Sequence, residues 1–158
     1  MNLWNSLKIS IAGAKLSHLV QKEQIWDHGS MIEQAKTIFY KVASTRSNGH
    51  IEDLKKYLTS SCYERLKNEL EELESNEKKR VIINPVIREI AVIEVHAGKN
   101  NKPDCFTVFI KAVGIGFIPG KPQDLINYSD HIHEFTEEWL LCRQGDWWVL
   151  DEMKSMGG

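Results

Sequence analysis

The chain has 158 residues, 42% hydrophobic and 27% charged, with a net charge of -2. That length suits one ordinary domain, able to bury roughly 70% of the surface its unfolded form exposes without help from disulfides or metal. The composition excludes a disordered chain, and the short apolar runs exclude a span of about 20 apolar residues across a bilayer. The near-neutral balance argues against nucleic acid, whose binders carry a clustered basic excess.

Residues 1 to 22 hold Lys8, Lys15 and Lys22 and no acid. Leu3, Trp4, Leu7, Ile11 and Ala14 fall near one face of a helix, so Trp4, Leu7, Lys8, Ile11 and Lys15 are candidates for contact with a lipid interface. The alternative is a helix packed on its own domain or on a second copy. No Arg occurs before residue 46, and no uninterrupted apolar stretch precedes a small-residue cleavage site, so the start does not read as a targeting peptide.

Met31, Ile32, Ala35, Ile38, Phe39, Val42 and Ala43 recur at helical spacing, with Ser30 and Glu33 as a capping box. "NG" at 48–49 ends that helix. "HIEDLKKYLT" predicts a short second helix with Ile51, Leu54 and Leu58 on one side, and Ser61 with Glu64 opens a third. There Cys62, Leu66, Leu70 and Leu73 form the apolar stripe, and the charged face runs to "NEKKR" at 76–80.

After Arg80 the residues turn β-branched and aromatic. Residues 85–97 and 105–117 predict strands joined by "GKNNKPD", 119–130 predicts a long loop, and "EFTEEWLLCRQGDWWVLDEM" (134–153) predicts a hairpin. Charge divides at the same point: 13 basic against 11 acidic residues in 1–80, 7 against 11 in 81–158. Helices first and strands afterwards is the order of an α+β fold, with helices on one face of an antiparallel sheet of about four strands. In the hairpin, Phe135, Glu137, Trp139, Leu141 and Arg143 share a face. Glu137 and Arg143 are about 20 Å apart at strand rise, so they cannot be one ion pair. A type II′ turn at Gly145-Asp146 pairs Arg143 with Trp148, Leu141 with Leu150, Trp139 with Glu152 and Glu137 with Lys154; a three-residue loop would shift every pair by one.

Cys62, Cys105 and Cys142 are odd in number and about forty residues apart, the spacing of neither a disulfide framework nor a metal motif, and point to a reducing compartment.

Phe135, Glu137, Trp139 and Arg143 match F-x-E-x-W-x-x-x-R, and Trp148, Leu150 and Asp151 match W-x-L-D. With Ala35 and Phe39, "HIEDLKKYLT" and "TVFIKA" upstream in order, residues 25–154 resemble the C-terminal domain of translocase-of-inner-membrane subunit forty-four, the tether of the mitochondrial presequence import motor, and its bacterial look-alikes. The chain departs from that pattern at 113–130. The resemblance implies the cone-shaped nuclear-transport-factor-like fold: residues 1–24 as a helix or extension, 25–155 as the cone, 156–158 as a tail. It also implies a non-catalytic adaptor without cofactor, binding a protein or peptide partner, an acyl chain or a membrane surface in an apolar pocket, with a homodimer through an exposed sheet face as a further expectation. The setting it implies is cytoplasmic or peripheral at the inner membrane.

Candidate walls of that pocket are Phe109, Phe117, Phe135, Trp139 and Leu141, closed by Phe39, Leu54 and Leu66, residues that otherwise serve as plain core. Glu137, Arg143, Trp148 and Leu150 are expected to hold the hairpin. Two sharper readings stand beside this one. Tyr128 or Tyr57 with Asp130 would supply the acid and base of a cone-fold isomerase or dehydratase. His131 and His133, with His96 or Glu94, would hold a metal, against a solvated loop edge as the plainer role.

Overall fold

The computed structural model describes residues 2–75, 81–117 and 132–156. The expected loop at 119–130, "NEKKR" at 76–80, and the last two residues of the tail lie outside these. Among the described residues, three α-helices, α1 (Leu3–Leu19), α2 (His28–Asn48) and α3 (Ser60–Ser75), precede four strands, β1 (Val81–His96), β2 (Cys105–Phe117), β3 (Ile132–Gln144) and β4 (Trp147–Ser155). The strands form one antiparallel sheet in the order β1-β2-β3-β4.

α2 begins earlier than the Ser30 box predicts. Asp27 is the cap instead: its carboxylate accepts from the Ser30 N–H at 2.9 Å and the Ser30 hydroxyl at 2.8 Å, and the backbone bond, then the hydroxyl, lowers the Asp27 pKa. The helix stops at Gly49, whose φ of 77° favours glycine and whose N–H closes on the Thr45 carbonyl at 2.7 Å. "HIEDLKKYLT" is a 3-10 helix (Ile51–Tyr57) rather than an α-helix, and its three-residue repeat sets Ile51 and Leu54 on the buried side. α3 is capped by Thr59, not Ser61: the Thr59 hydroxyl oxygen accepts from the Cys62 N–H at 3.2 Å.

β1 starts at Val81, four residues before expected, and is interrupted by register shifts at Ile83/Val86, Ile87/Glu89 and Val92/Glu94. The first accommodates Pro85, which cannot donate to a ladder, beside Asn84 at φ 47°. Such shifts add bend and twist, and the sheet curls so that α2 touches both edge strands, β1 and β4. Its inner face carries Val92 and Val95 from β1, Phe106, Val108, Ile110 and Ala112 from β2, Trp139 and Leu141 from β3, and Trp148 and Leu150 from β4. Met31, Ala35, Ile38, Phe39 and Val42 of α2 meet them. Trp148 packs against Trp26 and Phe106, with ring centroids 5.0 and 4.8 Å away, and its N–H donates to the Ile25 carbonyl at 3.2 Å. α1 lies along β1 and contributes Ala12 and Leu16 to the same cluster, so core packing crosses residue 24.

The hairpin turn is at Gly145-Asp146, with φ 64° at Gly145, and the expected pairs Arg143–Trp148 and Leu141–Leu150 form. Beyond them a bulge at Asp151 shifts the register by one. Trp139 faces Met153 rather than Glu152, and Glu137 faces Ser155 rather than Lys154. The cause is α3. The Asp151 carboxylate accepts the Thr59 hydroxyl at 2.8 Å, its carbonyl accepts Arg65, and Leu58 bridges Leu150 in parallel. One bulged residue reverses the side on which all later side chains fall, so Met153 turns inward and Glu152 and Lys154 outward.

Leu141 is fully buried. Leu141→Ala should lower unfolding free energy by about 3 kcal/mol in a urea titration, with unchanged slope. A loss below about 1 kcal/mol would mean that the inner face is loosely packed there.

Candidate functional site: a cavity closed by a charged cluster

Between α2, α3 and the inner face of the sheet lies a cavity of about 290 Å³, walled by Phe39, Val42, Ala43, Leu73, Ile82, Pro85, Phe135 and Trp139. The Phe39 ring stacks with Phe135 at 6.5 Å and tilts against Trp139 at 5.5 Å. The remaining lining is polar: Arg46, Glu69, Glu137 and Ser155.

Those charges follow from one another. Trp139 is buried, so its indole N–H needs an acceptor, and Glu137, two residues along on the same face, provides it. Glu137 in turn lies within the field of Arg46. Arg46 is bound in bidentate fashion to Glu69, Nε–Oε2 2.8 Å and Nη2–Oε1 3.1 Å. Burial opposes the guanidinium charge, but Glu69 and then Glu137 outweigh it, leaving the Arg46 pKa raised. Glu137 therefore finds its cation in Arg46, not in Lys154 as the unbulged register implies.

On the other side of this cluster is a second cavity of about 290 Å³, lined by Cys62, Arg65, Leu66 and Met153. Burial, the largest cause, pushes the Cys62 thiol up to about 11.

Of the eight expected wall residues, Phe39, Phe135 and Trp139 line the first cavity and Leu66 lines the second. Leu54 and Leu141 are closed core. Phe109 alternates with Val108 and Ile110, which point inward, so it stands on the opposite face of the sheet and walls neither cavity. The Phe117 side chain lies outside the described residues. Arg46 and Glu69 went unnoticed in the sequence, yet a signal existed. Ala35, Phe39, Val42 and Arg46 run along one stripe of α2, as Cys62, Leu66, Glu69 and Leu73 do along α3, so each helix turns one charge toward the sheet.

Arg143 is remote from this site. Its guanidinium bonds Glu23 at 2.9 Å, Asp104 at 3.1 Å and the Gly145 carbonyl at 2.8 Å, tying the hairpin turn to two connections; Glu23 first, then Asp104, raises its pKa. His133 and His96 of the metal reading are not brought together. His133 pairs with Gly114 and His96 with Cys105, nine residues apart along β2, or about 30 Å at strand rise. His131, Tyr128 and Asp130 lie outside the described residues. Tyr57 is half-buried, against Trp147 at 5.3 Å and under Lys41 and Lys56, and lines neither cavity.

The expected lipid-contact residues are on α1. The helix turns Ala12 and Leu16 to the core and leaves Leu3, Trp4, Leu7 and Ile11 exposed, from 50% for Leu7 to 87% for Leu3. Lys15 is exposed, whereas Lys8 reaches Glu94 at 3.5 Å and covers the Trp4 ring. No helix among the described residues is long and apolar enough to cross a membrane.

A family model described as the Tim44-like domain matches residues 12–155. The chain belongs to the Tim44-like domain family. Members of this family act in general as non-enzymatic, membrane-associated protein-interaction domains. The intermembrane space region of the chloroplast protein ARC6 is similar to this Tim44-like domain in structure, with a TM-score of 0.50 at 13% identity over 80% of this chain and 96% of that one. TraH from the Gram-positive conjugative plasmid pIP501 is similar at a TM-score of 0.46, 13% identity and 80% and 94% coverage. No curated protein matches the sequence. The fold is the α+β class that the helix-then-strand order predicts, in the nuclear-transport-factor-like form that the family resemblance implies.

Arg46→Met should cost about 2 kcal/mol of stability, because it leaves Glu69 and Glu137 without their cation in a partly buried setting. Glu69→Gln in the Arg46→Met background should restore part of it, giving a coupling energy of about 1 kcal/mol in a double-mutant cycle. Strict additivity would show that the pair is idle.

Proposed function

We propose that this Tim44-like domain is a docking module whose cavity takes an apolar group presented by a partner protein or an acyl chain, while α1 rests on an anionic membrane surface. The observation that carries the first part is the cavity of about 290 Å³ itself: eight apolar walls, with both carboxylates at its end already engaged by Arg46 and the Trp139 N–H. An acid–base catalyst needs a group free to take a proton from substrate. Here the charges are committed to one another, which supports binding over catalysis. The volume is at the lower end for small-molecule sites, about 300 to 1,000 Å³, and suits a single apolar side chain or a short length of acyl chain.

The second part rests on α1. Leu3, Trp4, Leu7 and Ile11 form an exposed apolar stripe on a helix whose surrounding residues, 1 to 22, bear Lys8, Lys15 and Lys22 and no acid. A stripe of that kind lies flat at a lipid headgroup boundary, and its basic residues favour anionic lipid.

Ala43 is half-buried at the cavity wall, so Ala43→Trp should fill the space without removing core. Titration with anilinonaphthalene sulfonate should show affinity reduced about tenfold or more in this variant, with the melting temperature retained. Equal dye binding by both proteins would sink the cavity as a binding site. For α1, truncation would strip Ala12 and Leu16 from the core, so point changes are the better probe. Leu7→Glu with Ile11→Glu should cut co-sedimentation with phosphatidylglycerol vesicles by about tenfold while leaving the fold intact; unchanged sedimentation would remove the membrane contact.

A further inference from the structure

The sheet face turned away from the helices holds a second arrangement that the docking function does not use. Cys105 of β2 stands directly opposite Cys142 of β3. The Arg143 N–H donates to the Asp104 carbonyl at 2.8 Å, a bond between the two residues that flank this pair. In an antiparallel ladder, that pattern marks Cys105 and Cys142 as a non-hydrogen-bonded pair, the kind whose Cα atoms approach to about 4.5 Å and whose side chains lie closest. A disulfide requires Cα atoms about 4.4 to 6.8 Å apart with the Cβ vectors converging. Both side chains leave the same face of the sheet, and the Cys105 thiol donates to the Pro103 carbonyl at 3.6 Å.

Both also line an open groove of about 690 Å³, with Thr107 and Leu140 beside them and Lys102 and Pro103 along the β1–β2 connection. A small reagent entering there meets Cys105, which is half-buried, before Cys142, which is only 8% exposed. Cys62, by contrast, is buried on the helix side of the sheet and lines a different cavity.

We propose that Cys105 and Cys142 form a reversible dithiol–disulfide site, oxidised by exchange with a low-molecular-weight disulfide such as oxidised glutathione. The Cys105 thiol releases its proton, and the thiolate attacks one sulfur of the oxidant; that S–S bond breaks and one glutathione thiolate leaves. Cys142 then loses its proton and attacks the Cys105 sulfur, expelling the second glutathione. Two protein thiols become one disulfide, and the oxidant takes two electrons and two protons to become two thiols. Burial, ahead of the nearby carboxylate of Asp151, holds both protein thiols above the ordinary cysteine range, so few are ionised at neutral pH and the reduced pair persists until an exchanging disulfide is abundant. Closing the bond cross-links β2 to β3 and replaces two thiols on the groove floor with a rigid bridge, so the shape of that floor follows the redox state of its surroundings.

The test uses the full chain carrying Cys62→Ala, which leaves only the proposed pair. After incubation with oxidised glutathione, the protein is denatured, alkylated and weighed. The expected product has lost two hydrogens, takes up no alkylating agent, regains both thiols with dithiothreitol, and melts at a higher temperature than the reduced form. In the same background, Cys142→Ala should stop at a glutathione adduct on Cys105. Should that variant not fold, Cys105→Ala provides the matching reading, with Cys142 left largely as free thiol. Persistent adducts on the Cys62→Ala protein, two thiols that still alkylate, or disulfide-linked dimers in place of the internal bridge would each overturn the proposal.

Discussion

Trp139 against Phe39 is the contact on which the remaining arrangement depends. The curled sheet brings the middle of β3 under α2, and the buried indole of Trp139 sits there, 5.5 Å from the Phe39 ring. Burying an indole removes its N–H from water, so an acceptor must come with it. Glu137 serves, since two residues along a strand return to the same face. A carboxylate drawn inward then needs a cation, and Arg46 stands one turn beyond Val42 on α2; an arginine so placed needs Glu69 of α3. One aromatic ring thus entails three charges from three elements, and the space they leave beside Phe39 and Phe135 is the cavity.

The two faces of the sheet carry different chemistry because of this. The inner face is apolar apart from the engaged cluster and Arg143 at the hairpin end, whereas the outer face mixes charges, thiols and Leu140 around an open groove. The bulge at Asp151 keeps the division. Without it Glu152 would enter the core opposite Trp139; with it, Met153 takes that place. Docking of α3 through Thr59 and Arg65 and placement of the β4 side chains are therefore one event. A docking domain benefits from such an arrangement, since charges engaged with one another at the cavity's end leave the cavity, α1 stripe and outer groove as separately addressable surfaces.

Much of the architecture was legible in residue order. The α2 stripe from Met31 to Val42, the β2 boundaries at Cys105 and Phe117, and the turn at Gly145-Asp146 all follow from period, capping and turn chemistry, which act over a few neighbours. The family motif rests on the same local pattern of Phe135, Glu137, Trp139 and Arg143. Legibility ended where a residue's role depends on another element. Nothing within the hairpin signals the bulge at Asp151 that Leu58, Thr59 and Arg65 engage, so the partner of Glu137 is not set by the hairpin's own register. Phe109 reads as a wall residue by composition, and only strand parity relative to the helices sends it outward.

The sequence by itself determined the class of fold, the order of its elements and which side chains share a strand or helix face, because these are settled by backbone sterics and spacing along the chain. Tertiary structure alone decided which faces meet. It joined Arg46 to Glu69, set Cys105 opposite Cys142, and turned Leu3, Trp4, Leu7 and Ile11 outward while sinking Ala12 and Leu16. The physical reason is that hydrophobic burial carries no direction of its own. A stripe declares that it can be covered, and only the competition among all the stripes in the folded chain determines which of them is.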